Sequence, residues 1–179
     1  MSGTAIGSYA PDFEIPGVDG AVHHLAQYLN QFQAVAVVIM CNHCPYVKFY
    51  LERLKQIQDE FAAQGVTLIG INPNDEQQFP DDSFEQMKVL AEQQQLNFPY
   101  LRDLTQDVAR CFGAEKTPQA FLINQSGQLC YRGGIDDSPQ DAAQVKQPYL
   151  RTAIAQLLAG EPIAVAEAPT VGCSVKWRS

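Results

Sequence analysis

The sequence has no long hydrophobic run and little positive charge. Its longest apolar stretch, residues 34–41, is far shorter than the roughly 20 residues that cross a bilayer, so no membrane span is predicted. Lysine and arginine number 12 against 20 acidic residues, which gives a net charge of −8 at pH 7. A chain this acidic lacks the basic surface that nucleic acid and anionic membranes attract, so neither is an expected partner.

Cysteine is sparse, and no leader segment is visible. The first residues contain neither the basic nor the apolar region of a secretory signal, which predicts a cytoplasmic protein. An odd number of cysteines, 5 in 179 residues, does not suit a secreted disulfide scaffold. In a reducing compartment such cysteines are buried thiols, metal ligands or redox catalysts, and their spacing must decide among these roles.

Apolar periodicity predicts one α/β domain over residues 1–160, followed by a tail at 161–179. Residues 34–40 are almost all apolar, which is typical of a strand buried on both faces of a sheet. Strands that alternate with helices imply parallel pairing, and a late hairpin adds antiparallel strands. The predicted fold is therefore a central mixed β-sheet flanked by helices. The predicted elements are an N-terminal β-hairpin (13–15 and 21–23), strands at 34–40, 66–71, 98–101, 119–124 and 129–132, and helices at 47–61, 83–95, 106–112 and 149–158.

A Cys-x-x-Cys pair, Cys41 and Cys44, lies between the buried strand and the first long helix. The unpaired N–H groups of a helix N-terminus stabilise an anion, so a thiolate is favoured there, with a pKa of roughly 3.5–7.5 instead of about 8.5. The two-residue gap lets the second sulfur attack a mixed disulfide on the first. We expect Cys41 to be the more exposed, attacking thiolate, Cys44 to be the resolving thiol, and His43 to favour the Cys41 anion.

Three features together resemble the thioredoxin-like superfamily. They are the Cys-Asn-His-Cys-Pro centre at 41–45, Thr117-Pro118 before a strand, and the C-terminal Gly172-Cys173-Ser174-Val175-Lys176-Trp177. Roughly residues 8 to 160 resemble the AhpC/TSA branch, which holds peroxiredoxins and membrane-tethered thiol reductases. The centre and the tail resemble one group within it. The resemblance implies a thioredoxin-like fold with a cis-proline at Pro118, and a clamp on the substrate chain formed by Thr117 and Pro118.

The resemblance also implies an enzyme, a thiol–disulfide oxidoreductase with antioxidant activity and no cofactor. Its substrates would be protein disulfides or low-molecular-weight disulfides. A thiol reductant such as a thioredoxin system or glutathione would regenerate it.

Two departures from thioredoxin bear on the chemistry. Met40 stands where thioredoxin has a tryptophan, and residues 34–40 lack the buried acid that accepts a proton beneath thioredoxin's cysteines. The proton acceptor must therefore be another group, and water, His43 and Glu52 are the candidates.

A peroxidase that uses Cys44 is the first alternative. Peroxiredoxins carry the pattern Pro-x-x-x-Thr-x-x-Cys and a distant Arg. The corresponding positions here are Val37, Cys41 and Pro118. Because all three peroxide-handling positions differ, the sequence favours disulfide exchange.

A metal-binding or redox-sensing module is the second alternative, since a Cys-x-x-Cys pair can be half of a zinc site. Cys111 and Cys130 are isolated in the sequence and are predicted to be buried inert thiols, so no second half is apparent and no metal is expected.

Cys173 is a candidate third redox cysteine. The tail from Gly160 is long enough to cross the domain, at about 3.3–3.6 Å per residue. Trp177 offers apolar surface that could dock the tail, and Lys176 could favour a Cys173 thiolate. On this hypothesis Cys173 forms a disulfide with Cys41.

Overall fold

The computed structural model describes residues 3–179. Helices that cover the sheet alternate with strands along most of the chain, and three short 3₁₀ turns lie at 62–64, 80–82 and 142–144. The α-helices are Leu25–Gln31 (α1), Pro45–Phe61 (α2), Phe84–Gln93 (α3), Asp107–Phe112 (α4) and Tyr149–Leu158 (α5). The strands are Glu14–Pro16 (β1), Val22–His24 (β2), Ala34–Ile39 (β3), Val66–Asn72 (β4), Tyr100–Arg102 (β5), Lys116–Thr117 (β6), Gln119–Asn124 (β7), Leu129–Gly133 (β8) and Cys173–Ser174 (β9).

The central sheet has five strands in the order β5-β4-β3-β7-β8. Strand β3 pairs in parallel with β4 and antiparallel with β7, and β4 pairs in parallel with β5. The hairpin β7–β8 completes the antiparallel edge. This is the predicted mixed sheet flanked by helices, and β1 and β2 form the predicted N-terminal hairpin.

Strand β3 lies in the middle of the sheet because its side chains are apolar on both faces. Ala36 and Val38 pack into a core that includes helices α2 and α5. Val35, Val37 and Ile39 pack into a second core that includes α1 and α4. All six residues of β3 are buried, which fixes the end of the strand at the position where Cys41 follows.

Three elements were not predicted: helix α1 and the short strands β6 and β9. Leu25 is the one buried residue of helix α1. The seven residues of this helix therefore carry little of the periodic apolar signal on which sequence analysis depends. Strands β6 and β9 have two residues each and form a separate antiparallel pair. Within residues 3–179, no helix has the length and apolar composition that crossing a membrane would require.

The C-terminal segment packs along the domain. Backbone N–H groups of Arg132 and Ala168 bond to the carbonyl groups of Ala166 and Arg132, respectively, so the segment runs beside β8. Further on, Val175 is 4% exposed within the second core. The segment thus crosses to the edge of the domain at which the paired cysteines lie.

Candidate active site

The cysteine pair lies where β3 ends and α2 begins. Cys44 is the N-cap of α2, and Pro45 occupies the first turn, a position where the missing N–H costs nothing. Both sulfur-bearing residues are buried, Cys41 at 1% exposure and Cys44 at 0%. Cys41 was predicted to be the more exposed of the two, but the structure covers both cysteines almost completely, so exposure does not distinguish them.

Thr117 contacts both cysteines. Its hydroxyl oxygen lies 3.6 Å from Cys41 Sγ, and its carbonyl oxygen lies 3.5 Å from Cys44 Sγ, where a protonated thiol would donate. The Thr117–Pro118 peptide is cis, as the resemblance implied. Thr117 is fully buried, so the position predicted to clamp a substrate chain is already covered.

The residue that covers Thr117 is Cys173. In the β6–β9 pair, Cys173 lies opposite Thr117 and Ser174 lies opposite Lys116. The Cys173 sulfur is within hydrogen-bonding reach of Cys44, and the backbone N–H of Tyr46 donates to it. The sequence hypothesis paired Cys173 with Cys41, whereas the structure places Cys173 against Cys44. The reason is that β9 approaches from the Thr117 side of the pair.

Backbone hydrogen bonds on both sides hold β9 in place. The Val175 N–H bonds to the Glu115 carbonyl at 3.0 Å, and the Asp75 N–H bonds to the Lys176 carbonyl at 2.9 Å. A Cβ on Gly172 would lie 2.2 Å from the Thr117 carbonyl oxygen, so the close approach of the two strands requires glycine there.

The predicted anchor, Trp177, is 36% exposed, and the Arg110 guanidinium lies 4.8 Å from its ring centroid. The apolar anchor is instead Val175, and Trp177 contributes a cation–π contact.

The pKa values of the two thiols are shifted in opposite directions. A hydrogen bond from the Cys41 S–H is the largest cause of a lowered pKa for Cys44, and the Cys173 side chain and the Val47 backbone N–H add to it. That same hydrogen bond, burial and the charge of Asp82 raise the pKa of Cys41 well above that of a free thiol. These shifts favour the anion on Cys44 and the proton on Cys41, whereas the sequence predicted the anion on Cys41; which of the two thiols attacks a substrate stays a prediction. Burial also raises the pKa of Cys173.

His43 has a ring nitrogen within 4.8 Å of Cys41 Sγ, and its influence on the Cys41 anion stays a prediction. Its Nδ1 lies 2.5 Å from a carboxylate oxygen of Asp82, which is fully buried. The direction of this close contact is not that of a hydrogen bond, so Nδ1 has no hydrogen-bond partner within residues 3–179. Sequence reasoning missed Asp82, because it lies 41 residues after Cys41 in a polar loop with no periodic signal.

The remaining candidates lie outside the pair. Glu52, considered as a proton acceptor, is 71% exposed and pairs with Lys55 at 2.8 Å. Cys111 is exposed on α4, contrary to the prediction of a buried thiol, because it faces away from the core side of a short helix. Cys130 is half-buried in β8, and its thiol donates to the Gln128 carbonyl at 3.5 Å.

One cluster has the chemistry of a metal site. Potential ligand atoms of Cys41, His43 and Asp82 lie within 4.8 Å of one another. A thiolate, an imidazole and a carboxylate are ligands that Zn²⁺ accepts in tetrahedral geometry. The same three groups also suit proton transfer to and from a buried thiol.

Comparison with known proteins identifies the relatives of the chain. Residues 6–132 match the AhpC/TSA family. The thiol-disulfide oxidoreductase ResA of Geobacillus thermodenitrificans is 26% identical over 125 residues, which cover 70% of this chain and 67% of that protein.

Solved structures give the same fold. An uncharacterized conserved protein from Geobacillus kaustophilus is 37% identical, with a TM-score of 0.90, over 97% of this chain and 93% of its own. A thiol:disulfide interchange protein of the thioredoxin family from Chlorobium tepidum TLS superposes with a TM-score of 0.65 at 21% identity. That match covers 86% of this chain and 98% of the other. The central sheet and its helices are therefore thioredoxin-like.

Proposed function

The chain belongs to the AhpC/TSA family, and from that premise we propose that it is a thiol–disulfide oxidoreductase in which Cys44 is the nucleophile and Cys41 the resolving thiol. One observation carries this assignment. Cys44 sits at the start of α2 with a lowered pKa, in hydrogen-bond contact with the protonated Cys41. A thiolate beside a thiol is the arrangement that disulfide exchange requires.

The reductive half-reaction has two steps. The Cys44 thiolate attacks one sulfur of a substrate disulfide, and the other substrate sulfur leaves as a thiolate, so a mixed disulfide forms. Cys41 then loses its proton and attacks Cys44 Sγ. This forms the Cys41–Cys44 disulfide and releases the second substrate sulfur as a thiolate. A thiol reductant returns the pair to the dithiol state by the reverse sequence.

Cys173 is the proposed third redox-active cysteine of the same site. Its sulfur is within hydrogen-bonding reach of Cys44, so it can attack a disulfide at Cys44. Burial raises the pKa of Cys173, so this thiol must lose its proton before it attacks.

We propose protein disulfides and low-molecular-weight disulfides as substrates, and a thioredoxin system or glutathione as the electron donor. A cytoplasmic location and an antioxidant role remain proposals of the same kind. They rest on the sequence and on the thiol chemistry of the site, which needs no cofactor.

Turnover of a chromogenic disulfide in the presence of excess reductant tests the function. The wild-type protein should catalyse its reduction. Cys44→Ser should abolish turnover, and Cys111→Ser, which alters an exposed thiol on α4, should leave it unchanged. Equal rates for wild type and Cys44→Ser would refute the assignment.

A thiol peroxidase is the second candidate, and the lowered pKa of Cys44 is the observation that favours it. A measurement of peroxide turnover distinguishes this candidate from disulfide exchange.

A zinc-binding module is the third candidate function, and the cluster of Cys41, His43 and Asp82 is the observation that favours it. Measuring the zinc content of protein purified without chelators tests this candidate, because a zinc-binding module would retain the metal.

A further inference from the structure

Cys41, His43 and Asp82 form a set of three different metal ligands beyond the end of β3. Their ligand atoms, a sulfur, an imidazole nitrogen and a carboxylate oxygen, lie within 4.8 Å of one another. Ligand atoms on one tetrahedral Zn²⁺ lie roughly 3.3–3.6 Å apart, so side-chain shifts of about 1 Å place all three on one ion. Mixed sulfur, nitrogen and oxygen ligands suit Zn²⁺, whereas Ca²⁺ and Mg²⁺ bind through oxygen.

The Nδ1 atom of His43 is buried and has no hydrogen-bond partner within residues 3–179. It lies 2.5 Å from a carboxylate oxygen of Asp82, but not in hydrogen-bond geometry. The imidazole stacks on Phe79, with ring centroids 5.7 Å apart and planes 4° from parallel, which holds it in this orientation. A buried polar atom without a partner is unfavourable, and a metal ion would give this nitrogen the partner that it lacks.

The Asp82 carboxylate is fixed in its position by hydrogen bonds. It is fully buried, and its two oxygens accept from the Asn42 backbone N–H at 2.6 Å and from Asn74 Nδ2 at 2.9 Å. Carboxylates that bind metals are themselves held by such hydrogen bonds. A thiolate on Cys41 and this carboxylate would repel each other, and a divalent cation between them neutralises both charges. The cluster therefore has the charge, as well as the ligands, that Zn²⁺ requires.

We propose that Cys41, His43 and Asp82 bind Zn²⁺ in the reduced protein, and that the ion slows the resolving step and is released when the cysteine pair is oxidised. The binding site rests on the geometry alone, whereas its regulatory effect rests on the proposed function. Three protein ligands leave a fourth position for water, and the His43 side chain, 28% exposed, connects the site to solvent. Because Cys41 is one of the ligands, the ion and the Cys41–Cys44 disulfide exclude each other.

Oxidation exchanges the bond between Cys41 and the ion for a bond between two sulfurs. A substrate disulfide first forms a mixed disulfide with Cys44 and releases one substrate thiolate. The Cys41 thiolate then leaves the ion and attacks Cys44 Sγ. The Zn–S bond breaks, the Cys41–Cys44 bond forms and the second substrate sulfur departs as a thiolate. Zn²⁺ retains two protein ligands and dissociates. Cys41 gives up no proton in this step, because its proton is released when Zn²⁺ binds.

Titration of the reduced protein with Co²⁺ tests the site, because Co²⁺ accepts the same ligands and its spectrum reports them. The wild type should show the visible bands of tetrahedral Co²⁺ and a sulfur-to-cobalt charge-transfer band in the near ultraviolet, and Zn²⁺ should displace the cobalt. Cys41→Ser should lose the charge-transfer band. His43→Gln and Asp82→Asn should each weaken binding at least about 10-fold, since even the loss of a group that supports a ligand costs about that much.

The matched control is Asp81→Asn, which removes an exposed neighbouring carboxylate and should keep the wild-type affinity. Cys111→Ser removes an exposed thiol and should likewise change nothing. Cys44→Ser should retain the metal, because Cys44 is not one of the three ligands. If Asp82→Asn does not fold, the affinity of His43→Gln, whose side chain is partly exposed, decides the question.

The regulatory effect is measured separately with the zinc-loaded protein. Addition of a small disulfide should release Zn²⁺ in step with formation of the Cys41–Cys44 disulfide, as recorded with a zinc-sensitive dye. Turnover at saturating Zn²⁺ should fall, and a chelator should restore it.

Wild-type affinity for Co²⁺ in His43→Gln, or loss of the metal in Cys44→Ser, would overturn the proposed site, because either result indicates a simple chelate of the two thiols. Retention of Zn²⁺ after complete oxidation, or unchanged turnover at saturating Zn²⁺, would overturn the regulatory effect. Absence of turnover from the metal-free protein would instead refute the proposed function, whereas the cobalt spectrum would still test the site.

Discussion

Cys173 lies directly opposite Thr117 in a two-stranded antiparallel pair. The peptide bond between Thr117 and Pro118 is cis. The edge that the resemblance assigns to a bound substrate chain is thus occupied by the protein's own C-terminal strand. The thiol it carries is within reach of Cys44. Any extended substrate chain must share or displace this strand, because a strand edge offers its hydrogen bonds to one neighbour at a time.

Cys41→Ser should trap a disulfide between Cys44 and Cys173. A small disulfide first forms a mixed disulfide with Cys44, and Cys173 then displaces the small thiol because it is the remaining thiol in contact. Peptide mapping by mass spectrometry under mild oxidation is the measurement. Cys130→Ser, which alters a half-buried thiol on β8, is the control and should keep the Cys41–Cys44 disulfide. Finding Cys173 unmodified across a range of oxidant would contradict the prediction.

Cys44 should titrate well below the free-thiol pKa of about 8.5, so its thiolate persists as the pH falls below 7. The largest cause is the hydrogen bond from Cys41. Cys41→Ala should therefore raise the Cys44 pKa more than Cys41→Ser, in which a hydroxyl can still donate. Ultraviolet thiolate absorbance against pH measures both variants, each in a Cys173→Ser background. Identical titrations would show that the helix N-terminus, and not Cys41, determines the shift.

Gly172→Ala should loosen the C-terminal strand. The added Cβ would lie 2.2 Å from the Thr117 carbonyl oxygen, so β9 must move away from β6. Forced overpacking typically costs about 1–3 kcal/mol. In the Cys41→Ser background we expect both a lower unfolding temperature and a reduced yield of the Cys44–Cys173 disulfide. Ser174→Ala, an exposed neighbour on the same strand, is the control. An undiminished disulfide yield would mean that β9 tolerates the shift.

Reaction with hydrogen peroxide should be slow despite the lowered pKa of Cys44. The positions that handle peroxide in peroxiredoxins are Val37, Cys41 and Pro118 here. Stopped-flow oxidation of the reduced protein, compared with a small thiol at equal thiolate fraction, is the measurement. A rate several orders of magnitude above that of the small thiol would favour the peroxidase alternative.

Much of the fold could be predicted because it depends on local patterns. The uniformly apolar residues 34–40 indicated a strand buried on both faces, and the structure places β3 at the centre of the sheet. The three- and four-residue spacing along 47–61 predicted α2 within two residues of its observed start. Helix α1 escaped prediction because a helix that buries a single leucine leaves almost no periodic signal.

The sequence by itself determined which residues are the candidates for the chemistry. The Cys41–Cys44 spacing, its place before a helix and the Thr117-Pro118 step are all local features, so they could be identified without coordinates. Only the tertiary structure places the groups that bear on the proposed division of roles. The hydrogen bond between the two thiols, burial of Cys41 and the charge of Asp82 favour the proton on Cys41 and the anion on Cys44. The partners of these thiols, Asp82 and Cys173, are distant in the chain and meet the pair only through loop and strand packing. Electrostatic energy depends on distance in space and on burial, and the spacing of residues along a chain determines neither.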